Sequence, residues 1–258
     1  MDQRELEPVA LVEAGLAIAC GQAAPARSLL GFDLYRIPDE HPFLRSLALP
    51  RGDPPDWAGP VDELVRVCAT LGLSPRLELL AERRARLRAA LAAAGWVRTL
   101  AVPVLAEPVR RVARAEGGAW RLDAAAPEDR LAATLAVQHA ILGAAPPSAD
   151  ELAFFRACLA DGSVRTWVRL DERGRPVAAV SLLGGPPAVE LAGLWTRPDR
   201  RRRGLARSLA RAALARAVET GAQLVWAGAA NAASEALLRG LGMTAIATLE
   251  SWERPAGR

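Results

Sequence analysis

The sequence predicts an α/β (α+β) protein with a mixed β-sheet, and three observations support this. Strand and helix patterns alternate regularly from about residue 120 onward. Residues 189–227 form a strand–helix–strand pattern, whose crossover must be right-handed and whose strands are parallel. Residues 164–183 have the pattern of a hairpin, which adds antiparallel strands. An apolar fraction of 51% in 258 residues supplies the core that this class needs.

Start and stop signals define the elements of the C-terminal half. Proline in the first turn and Gly143 after the end bound a helix over Pro127–Leu142. Ser148-x-x-Glu151 is a capping box that opens a second helix. The other predicted elements are strands at Trp120–Leu122, Val164–Leu170, Pro176–Leu183, Val189–Thr196, Gln223–Ala227 and Thr244–Trp252, and helices at Gly204–Thr220 and Ala232–Leu241.

The N-terminal half resembles the C-terminal half at a constant offset of 147 residues. At this offset Leu47-Ala-Leu49 falls on Leu194-Trp-Thr196, and Leu91, Gly95 and Trp96 fall on Leu238, Gly242 and Met243. We favour two tandem copies over a chance match of helical patterns. The first copy, residues 1–115, is truncated and degenerate, residues 116–258 form the second, and Pro103–Gly118 is the predicted linker.

Composition excludes several kinds of protein. The three cysteines are far apart and never spaced as C-x-x-C, and there are only two histidines, so we expect no disulfide scaffold and no metal site. All 33 basic residues are arginine. The first residues lack the pattern of a signal peptide, and no apolar run is long enough for a bilayer. We therefore expect a cytoplasmic protein without a membrane partner.

One short segment makes the protein basic. The net charge is +4, and Arg197–Arg211 alone carries seven arginines against Asp199. The segment links a strand to a helix, and the first turn of a helix has free N–H groups at the positive end of its dipole. Gly204 and Ala206 leave space for a ligand beside the backbone. This pattern is typical of a backbone cradle for a pyrophosphate group.

These residues resemble the GNAT superfamily of N-acetyltransferases. Arg201-Arg-Arg-Gly204-Leu-Ala206 fits the family signature Gln/Arg-x-x-Gly-x-Gly/Ala between the fourth strand and the third helix. The preceding Thr196-Arg-Pro-Asp resembles the Val-x-Pro-Asp that often precedes that signature. The run Asn231-Ala-Ala-Ser-Glu-Ala-Leu-Leu-Arg-Gly-Leu-Gly-Met243 resembles the family's Asn-x-x-x-x-x-Leu-Tyr-x-x-Leu-Gly-Phe ending. The resemblance covers about residues 120–252 and implies a GNAT-like fold.

The resemblance implies acetyl-CoA, or another acyl-CoA, as the acyl donor. Its pyrophosphate would lie on the amides of residues 202–207, and its pantetheine arm beside residues 194–196. Asn231 could contact the arm, cap a helix, or do both. The implied binding residues are Leu194, Trp195, Thr196, Arg201, Arg202, Arg203, Gly204, Leu205, Ala206, Arg207, Asn231 and Ser234.

Glu190 is the predicted general base. It lies eleven residues before Arg201, the spacing at which the histone-acetylating branch of the family places its glutamate. An apolar strand would raise its pKa by desolvation, although an exposed glutamate at the start of the strand is equally consistent with the sequence. The family often has a tyrosine as general acid where this chain has Leu238, so the acid step is left open.

The N-terminal copy lacks the glycine signature, because Pro54-Pro-Asp-Trp-Ala-Gly59 falls on Arg201–Ala206. We expect this half not to bind CoA, to pack against the catalytic half, residues 116–258, and to form a wall of the acceptor cleft. His139 could line that cleft, but a histidine with ordinary structural contacts is the favoured interpretation.

We predict an acyl-CoA-dependent N-acetyltransferase acting on a primary amine of a small molecule or a protein. A CoA-binding protein without catalysis is the alternative. A nucleic-acid-binding module is disfavoured, because the arginine run lacks interleaved aromatic residues. The acceptor and the oligomeric state stay open, with a homodimer among the options.

Overall fold

The structure is a computed structural model that describes residues 8–19, 27–35, 47–109 and 120–255. The α-helices are α1 (Pro8–Ala19), α2 (Ala58–Thr70), α3 (Ala85–Ala93), α4 (Glu128–Leu142), α5 (Ala149–Asp161), α6 (Leu205–Arg216) and α7 (Ala232–Arg239). The strands are β1 (Arg27–Ser28), β2 (Phe32–Tyr35), β3 (Leu47–Pro50), β4 (Arg76–Leu80), β5 (Val97–Pro108), β6 (Trp120–Leu122), β7 (Val164–Leu170), β8 (Pro176–Gly185), β9 (Ala188–Thr196), β10 (Leu224–Gly228) and β11 (Thr244–Glu253).

All these strands belong to one mixed sheet, as the sequence predicts. The strand order is β1-β2-β3-β4-β11-β5-β10-β9-β8-β7-β6. The pairs β9/β10 and β3/β4 are parallel, and the other pairs are antiparallel. The predicted strand–helix–strand unit is β9–α6–β10, and the predicted hairpin is β7–β8.

Local signals in the C-terminal half confirm the predicted helix boundaries. The side chain of Ser148 accepts a hydrogen bond from the Glu151 amide, and Glu151 accepts one from the Ser148 amide, so the capping box is formed. Gly143 follows α4 in the left-handed conformation, where a side chain would be strained. Helix α6 is shorter than predicted because Ala217–Thr220 continues it as a 3-10 turn.

The two halves of the chain exchange their last strands. Strand β5 lies between β10 and β11, and β11 lies between β5 and β4. The predicted linker is therefore wrong over residues 103–108, which form the second half of β5 in the middle of the sheet. The continuous apolar run Val102–Ala106 was a signal for a buried strand that the proline at 103 obscured. The predicted domain boundary at residues 115 and 116 lies outside the described residues.

The elements of the two halves correspond at the offset found in the sequence. Shifted by 147 residues, the bounds of α2, β4, α3 and β5 fall within two residues of those of α6, β10, α7 and β11. The parallel pair β3/β4 likewise occupies the position that β9/β10 has in the C-terminal half. These facts accord with an internal repeat, which stays a prediction.

Helices cover both faces of the sheet and form separate cores. Helix α1 packs on one face against buried residues of the central strands, among them Ala188 and Trp226. Helices α4 and α5 contact β8, β9 and β7 around a core that contains Trp195. Helix α6 packs on the opposite face through Leu209, Ala210 and Ala213. The candidate site lies at the end of β9 that leads into α6.

Candidate functional site

A cavity opens where the parallel strands β9 and β10 separate. Their register contains three pairs, Leu224–Ala188, Val225–Val189 and Trp226–Glu190, after which the strands diverge. The cavity measures about 840 Å³ and has Glu190 at one end and the start of α6 at the other. A ligand of extended shape can therefore enter between the strands without displacing core side chains.

The loop between β9 and α6 has the conformation expected of an anion cradle. It contains a 3-10 turn at Pro198–Arg200, after which Arg202 and Gly204 both have positive φ, at 59° and 74°. Gly204 is the N-cap of α6 and no side chain caps that end. The first N–H groups of α6 have no earlier turn to bond to, and so can donate to an anionic ligand.

Gly204 combines a backbone conformation that favours glycine with open space around its Cβ position. Its φ of 74° is a conformation that L-residues rarely adopt, and a Cβ there would meet nothing within 4 Å. The space is therefore open on the cavity side, where the residue is one of the lining groups. Backbone conformation and free space together permit close approach of a phosphate group.

The arginine side chains of the loop have different roles. Arg201 Nε donates to the Thr196 carbonyl at 3.3 Å, and Arg207 donates to the Gly240 carbonyl at 2.9 Å. The Arg207 contact joins the start of α6 to the end of α7 and so fixes the width of the cavity. Arg197 pairs with Asp199 and Asp171, so part of the positive charge is already compensated.

Glu190 faces the side of the sheet on which α1 lies. The Glu190 side chain is half-buried. The paired position on β10 is occupied by Trp226, which is only 1% exposed. Burial and, to a smaller extent, the negative charge of Glu78 together raise the pKa of Glu190 to about 8. Of the two interpretations left open by the sequence, the structure supports the desolvated carboxyl group.

Strand β9 contains a bulge beside Glu190. Between the pairs Ala192–Ser181 and Trp195–Ala179, β9 has two residues and β8 has one. The two residues of β9 are Gly193, with φ of 57°, and Leu194. A bulge leaves backbone groups outside the ladder, and both residues of this one, Gly193 and Leu194, line the cavity.

Two buried polar atoms of the cavity wall lack partners within the described part of the chain. They are Trp195 Nε1 and Thr196 Oγ1, which follow the bulge on β9. Buried donors and acceptors normally form hydrogen bonds, so these atoms are suited to a polar ligand group.

The far wall of the cavity is formed by the start of α7. Asn231 Oδ1 accepts from the Ser234 amide at 2.9 Å, and Ser234 Oγ accepts from the Asn231 amide at 3.0 Å. Both residues line the cavity, but their side chains form a capping box with each other. Their first role is therefore to begin α7 at this point.

Of the residues predicted for the site, the cavity brings together all except one. Arg203 lies on the outer side of the loop and lines a neighbouring cavity. The predicted residues that line the main cavity are Glu190, Leu194, Trp195, Thr196, Arg201, Arg202, Gly204, Leu205, Ala206, Arg207, Asn231 and Ser234.

Sequence reasoning missed the wall supplied by α4. Gln138, Ile141 and Leu142 line the cavity near Gly193. The exposure of Leu142, 55%, shows an apolar side chain that the helix does not bury. An apolar residue at the very end of a helix, just before Gly143, was the signal in the sequence.

Two open questions about individual residues are resolved by position. Leu238 is 4% exposed in the core below α6 and has no proton to donate, and Tyr35 lies outside the cavity in the core beneath α1. His139 is 2% exposed, and its Nδ1 lies within hydrogen-bond distance, 2.5 Å, of the Ala145 carbonyl. The histidine thus holds the loop after α4 and does not line the cavity.

Two other kinds of site are absent from the residues that the structure places. These residues contain no group of three or more His, Cys, Asp or Glu side chains arranged for a metal ion. Among the helices in the described ranges, none combines the length and apolar character that a bilayer crossing requires.

Comparison with known proteins agrees with this geometry. Residues 132–243 match the Acetyltransferase (GNAT) family. The match begins in α4 and ends before β11, so it includes β9, the loop and α6. A search of curated proteins found no significant match.

Solved structures show that the GNAT fold extends over the whole chain. A GCN5-related N-acetyltransferase from Kribbella flavida has a TM-score of 0.72 and 20% identity, with 95% of each chain covered. An acetyltransferase described as putative, from Novosphingobium aromaticivorans, has a TM-score of 0.61 and 18% identity, covering 97% of this chain and 100% of its own. A GCN5-related N-acetyltransferase from Sphaerobacter thermophilus has 0.56 and 17%, covering 88% and 77%. Nearly the whole chain therefore shares the overall fold of these solved structures.

Proposed function

We propose that the protein transfers an acetyl group from acetyl-CoA to a primary amine of a small molecule or a protein. The observation that carries the proposal is the position of Gly204 and the free amides of α6. They lie at one end of a cavity whose other end is a carboxyl group with a raised pKa. The cavity therefore offers an anion-binding site at one end and a general base at the other.

The residues of the cavity fit an acyl-CoA. The start of α6 would hold the pyrophosphate through backbone amides, supported by the charge of Arg201 and Arg202. The space between β9 and β10 would take the pantetheine arm, with Thr196 Oγ1 available for a hydrogen bond. When bound, acetyl-CoA supplies an activated acyl thioester. No metal is needed for this chemistry.

Glu190 would act as the general base. An aliphatic amine with a pKa near 10 is less than about 0.1% neutral at pH 7, so it must lose a proton before it can attack. A carboxyl group with a pKa of about 8 accepts a proton more strongly than an ordinary glutamate. It lines the cavity where β9 and β10 separate, so an amine that enters the cavity can reach it.

The bulge of β9 would polarise the acyl carbonyl. A backbone N–H in the segment of Gly193 and Leu194 can donate to the oxygen as negative charge develops on it. The thiol of CoA has a pKa far below that of an alcohol, so its thiolate can leave with less help from a general acid. A buried leucine at position 238 is therefore compatible with the reaction.

The N-terminal half would be a degenerate GNAT-like copy that does not bind CoA. At the offset of 147 residues, the start of α2 corresponds to the start of α6. There Asp56 Oδ1 already accepts a hydrogen bond from the Ala58 amide at 2.9 Å. The carboxylate thus occupies the position of a phosphate and repels another anion. This half would contribute structure and not a second site.

The test of donor binding is calorimetric titration of acetyl-CoA into Gly204→Glu. The variant places a bulky anion in the cradle, so we expect binding to be lost. Gly72→Glu is the matched control, because Gly72 also has positive φ, at 69°, with nothing within 4 Å of its Cβ position, and does not line the cavity. Equal affinity of both variants for acetyl-CoA would refute this site.

The test of catalysis is release of free thiol from acetyl-CoA with a panel of amines. Transfer to any amine by the wild type, with loss in Glu190→Gln, would support the proposed reaction. Binding of acetyl-CoA without thiol release with any amine would instead indicate a CoA-binding protein without catalysis. Binding of a nucleic acid in place of acetyl-CoA would refute the proposal.

A further inference from the structure

The end of α4 forms one wall of the main cavity and takes no part in the proposed binding of the donor. We call it the α4 wall, and its residues are Gln138, Ile141 and Leu142. These positions lie on one face of the helix, because residues three and four apart are neighbours. Gln138 and Leu142 are about 6 Å apart along the helix axis, which is about the length of a six-carbon chain.

The α4 wall lies on the same face of the sheet as Glu190. A Cβ on Gly193 would lie 3.9 Å from Gln138 Nε2 and 3.6 Å from Ser181 Oγ. Ser181 pairs with Ala192, which is two residues from Glu190 and is therefore on the same face of β9. Helix α6, which carries the proposed donor site, packs on the opposite face. The α4 wall and the carboxyl group of Glu190 therefore face the same side of the cavity.

The charges around the cavity suit an acceptor with a single positive charge. Within the described residues, Glu190 is the only acidic side chain that lines the cavity. A second ammonium group on the substrate would have no carboxylate to pair with, and the arginines of the lining carry the same sign of charge. These arginines are Arg200, Arg201, Arg202 and Arg207. The lining therefore disfavours diamines and polyamines.

The α4 wall combines one polar group with an apolar surface. Gln138 is half-buried, and its carboxamide forms no hydrogen bond with the described residues. Ile141 packs on the core that contains Trp195. Leu142 has 55% of its surface exposed, and covering such apolar surface with an apolar ligand is favourable. A substrate with one polar end and an apolar body therefore matches the wall.

We propose that the acceptor is a small monoamine whose nitrogen binds at Glu190 and Gln138 and whose apolar chain or ring covers Ile141 and Leu142. This rests on the proposed function, because Glu190 must act as the base there. An amine that enters the cavity gives up hydrogen bonds to water, and the two polar side chains replace them. A second ammonium group would lose water against Leu142 without gaining a partner, so diamines and polyamines are poor acceptors.

The acceptor gives up two protons in the reaction. One passes from the ammonium form to Glu190, which frees the nitrogen lone pair to bond to the acyl carbon as the C–S bond breaks. The other passes from the nitrogen to the sulfur of CoA. The products are an amide and a free thiol, so release of thiol measures transfer to each acceptor.

The experiment compares hexylamine with hexamethylenediamine as acceptors for the full-length protein saturated with acetyl-CoA. The two amines have the same carbon chain, but the diamine carries a second amine at the other end. Initial rates of thiol release give kcat/KM for each. We expect hexylamine to be preferred at least about tenfold, because only the diamine places a charge on the apolar part of the α4 wall.

Three variants locate the origin of this preference. Leu142→Glu supplies the missing carboxylate and should reduce the preference at least about fivefold by raising kcat/KM for the diamine. Leu142→Gln should lower kcat/KM for hexylamine without raising it for the diamine. Val218→Glu is the matched control, because Val218 is an exposed apolar residue outside the cavity, and it should keep the wild-type preference. Thermal unfolding of each variant verifies that it is folded.

Calorimetric titration of acetyl-CoA into each variant separates acceptor effects from donor effects, and we expect equal affinities. Equal use of both amines by the wild type, a preference for the diamine, or transfer only to the N-terminus of a peptide would overturn the inference. An unchanged preference in folded Leu142→Glu would do the same. If that variant does not fold, an unchanged kcat/KM for hexylamine in Leu142→Gln overturns it. If no amine or peptide releases thiol, the proposed function itself fails.

Discussion

At the scale of single residues, the environment of Glu190 determines how the protein should respond to pH. The carboxyl group is protonated in the fold up to about pH 8, whereas an ordinary glutamate is ionised above about pH 4.5. A carboxyl group must be ionised to accept a proton, so only the protein molecules in which Glu190 is ionised are active, and these predominate above this pKa. The same group makes opposite contributions to activity and stability as the pH rises.

We expect kcat/KM to rise about tenfold per pH unit below pH 8 and to level off above it, for an acceptor amine with a pKa above that range. Glu190→Gln should lower the rate about 100- to 10,000-fold and remove this inflection. Initial rates of thiol release between pH 6 and about pH 9.5 measure both effects. A wild-type profile that stays flat from pH 6 upward, as an ordinary glutamate would give, would contradict the desolvated carboxyl group.

The stability of the protein should depend on Glu190 with the opposite sign. Because the folded pKa lies above the unfolded one, the fold binds more protons than the unfolded chain between about pH 4.5 and 8. The contribution of Glu190 to the free energy of unfolding is fully present below that interval and is lost as the pH rises through it. Glu190→Gln should therefore raise the melting temperature more at pH 8.5 than at pH 5, measured by calorimetry; an equal shift at both pH values would argue against it.

Arg202 adopts a backbone conformation that favours glycine, since its φ is 59°. Arg202→Gly and Arg202→Ala both remove the side chain, but only glycine relieves this strain. We expect the glycine variant to have the higher free energy of unfolding, by about 1 kcal/mol, in urea denaturation. Equal stability of the two variants would indicate that the loop relaxes around residue 202.

At the scale of elements, helix α1 packs closely on β9, the strand that carries Glu190. Gly15 packs against Ala188, two residues before Glu190, and a Cβ on Gly15 would lie 2.6 Å from the Ala188 carbonyl oxygen. Glu13 of α1 also pairs with Arg83 and Arg84 of the N-terminal half. The helix therefore joins the two halves over the strand that carries the proposed base.

We expect Gly15→Ala to lower the free energy of unfolding by about 1–3 kcal/mol, because either the helix or β9 must move. Gly59→Ala is the matched control in the first turn of α2, where a Cβ meets nothing within 4 Å. That change should be neutral or stabilise by up to about 1 kcal/mol. Urea denaturation of the two variants compares them directly; equal effects would show that α1 does not fit closely on β9.

At the scale of the whole molecule, the exchanged strands make the two halves depend on each other. Strand β5 separates β10 from β11, so the C-terminal half alone lacks the strand that joins its last two. Glu250 of β11 is 1% exposed and is bound by Arg88 and Arg98 of the N-terminal half. Burial raises the pKa of Glu250, but hydrogen bonds from Arg98, Trp252 and Arg88 outweigh burial and lower it.

A fragment of residues 116–258 should therefore not unfold cooperatively or bind acetyl-CoA. Its edges at β10 and β11 would be unpaired, and a carboxylate would lose its arginine partners. Circular dichroism on heating measures the first property and calorimetry the second, with the full chain as control. Addition of residues 1–115 in trans should restore both. A fragment that folds and binds alone would show that the C-terminal half is an independent domain.

How much of the site could be predicted depended on whether its signal was local. The cradle of Gly204, the strand before it and the capping residues of α7 are set by neighbours in the chain, through turn conformation, helix start and apolar alternation. The wall from Gln138 and Ile141 could not be located, because nothing in α4 itself says which strand it covers. The side of the loop on which Arg203 lies could not be located for a similar reason, because it depends on how the loop folds in three dimensions.

The sequence by itself determined the order of elements in the C-terminal half, the mixed sheet and the anion-binding loop, because backbone conformation responds to residues a few positions away. Only the tertiary structure decided that β5 enters the sheet beside β10, and that Glu190 is half-buried at the position paired with Trp226. Strand partners depend on pairing across more than a hundred residues, and many partners satisfy the same alternating pattern. Burial of a charge likewise depends on what packs over it, and that is a property of the assembled fold.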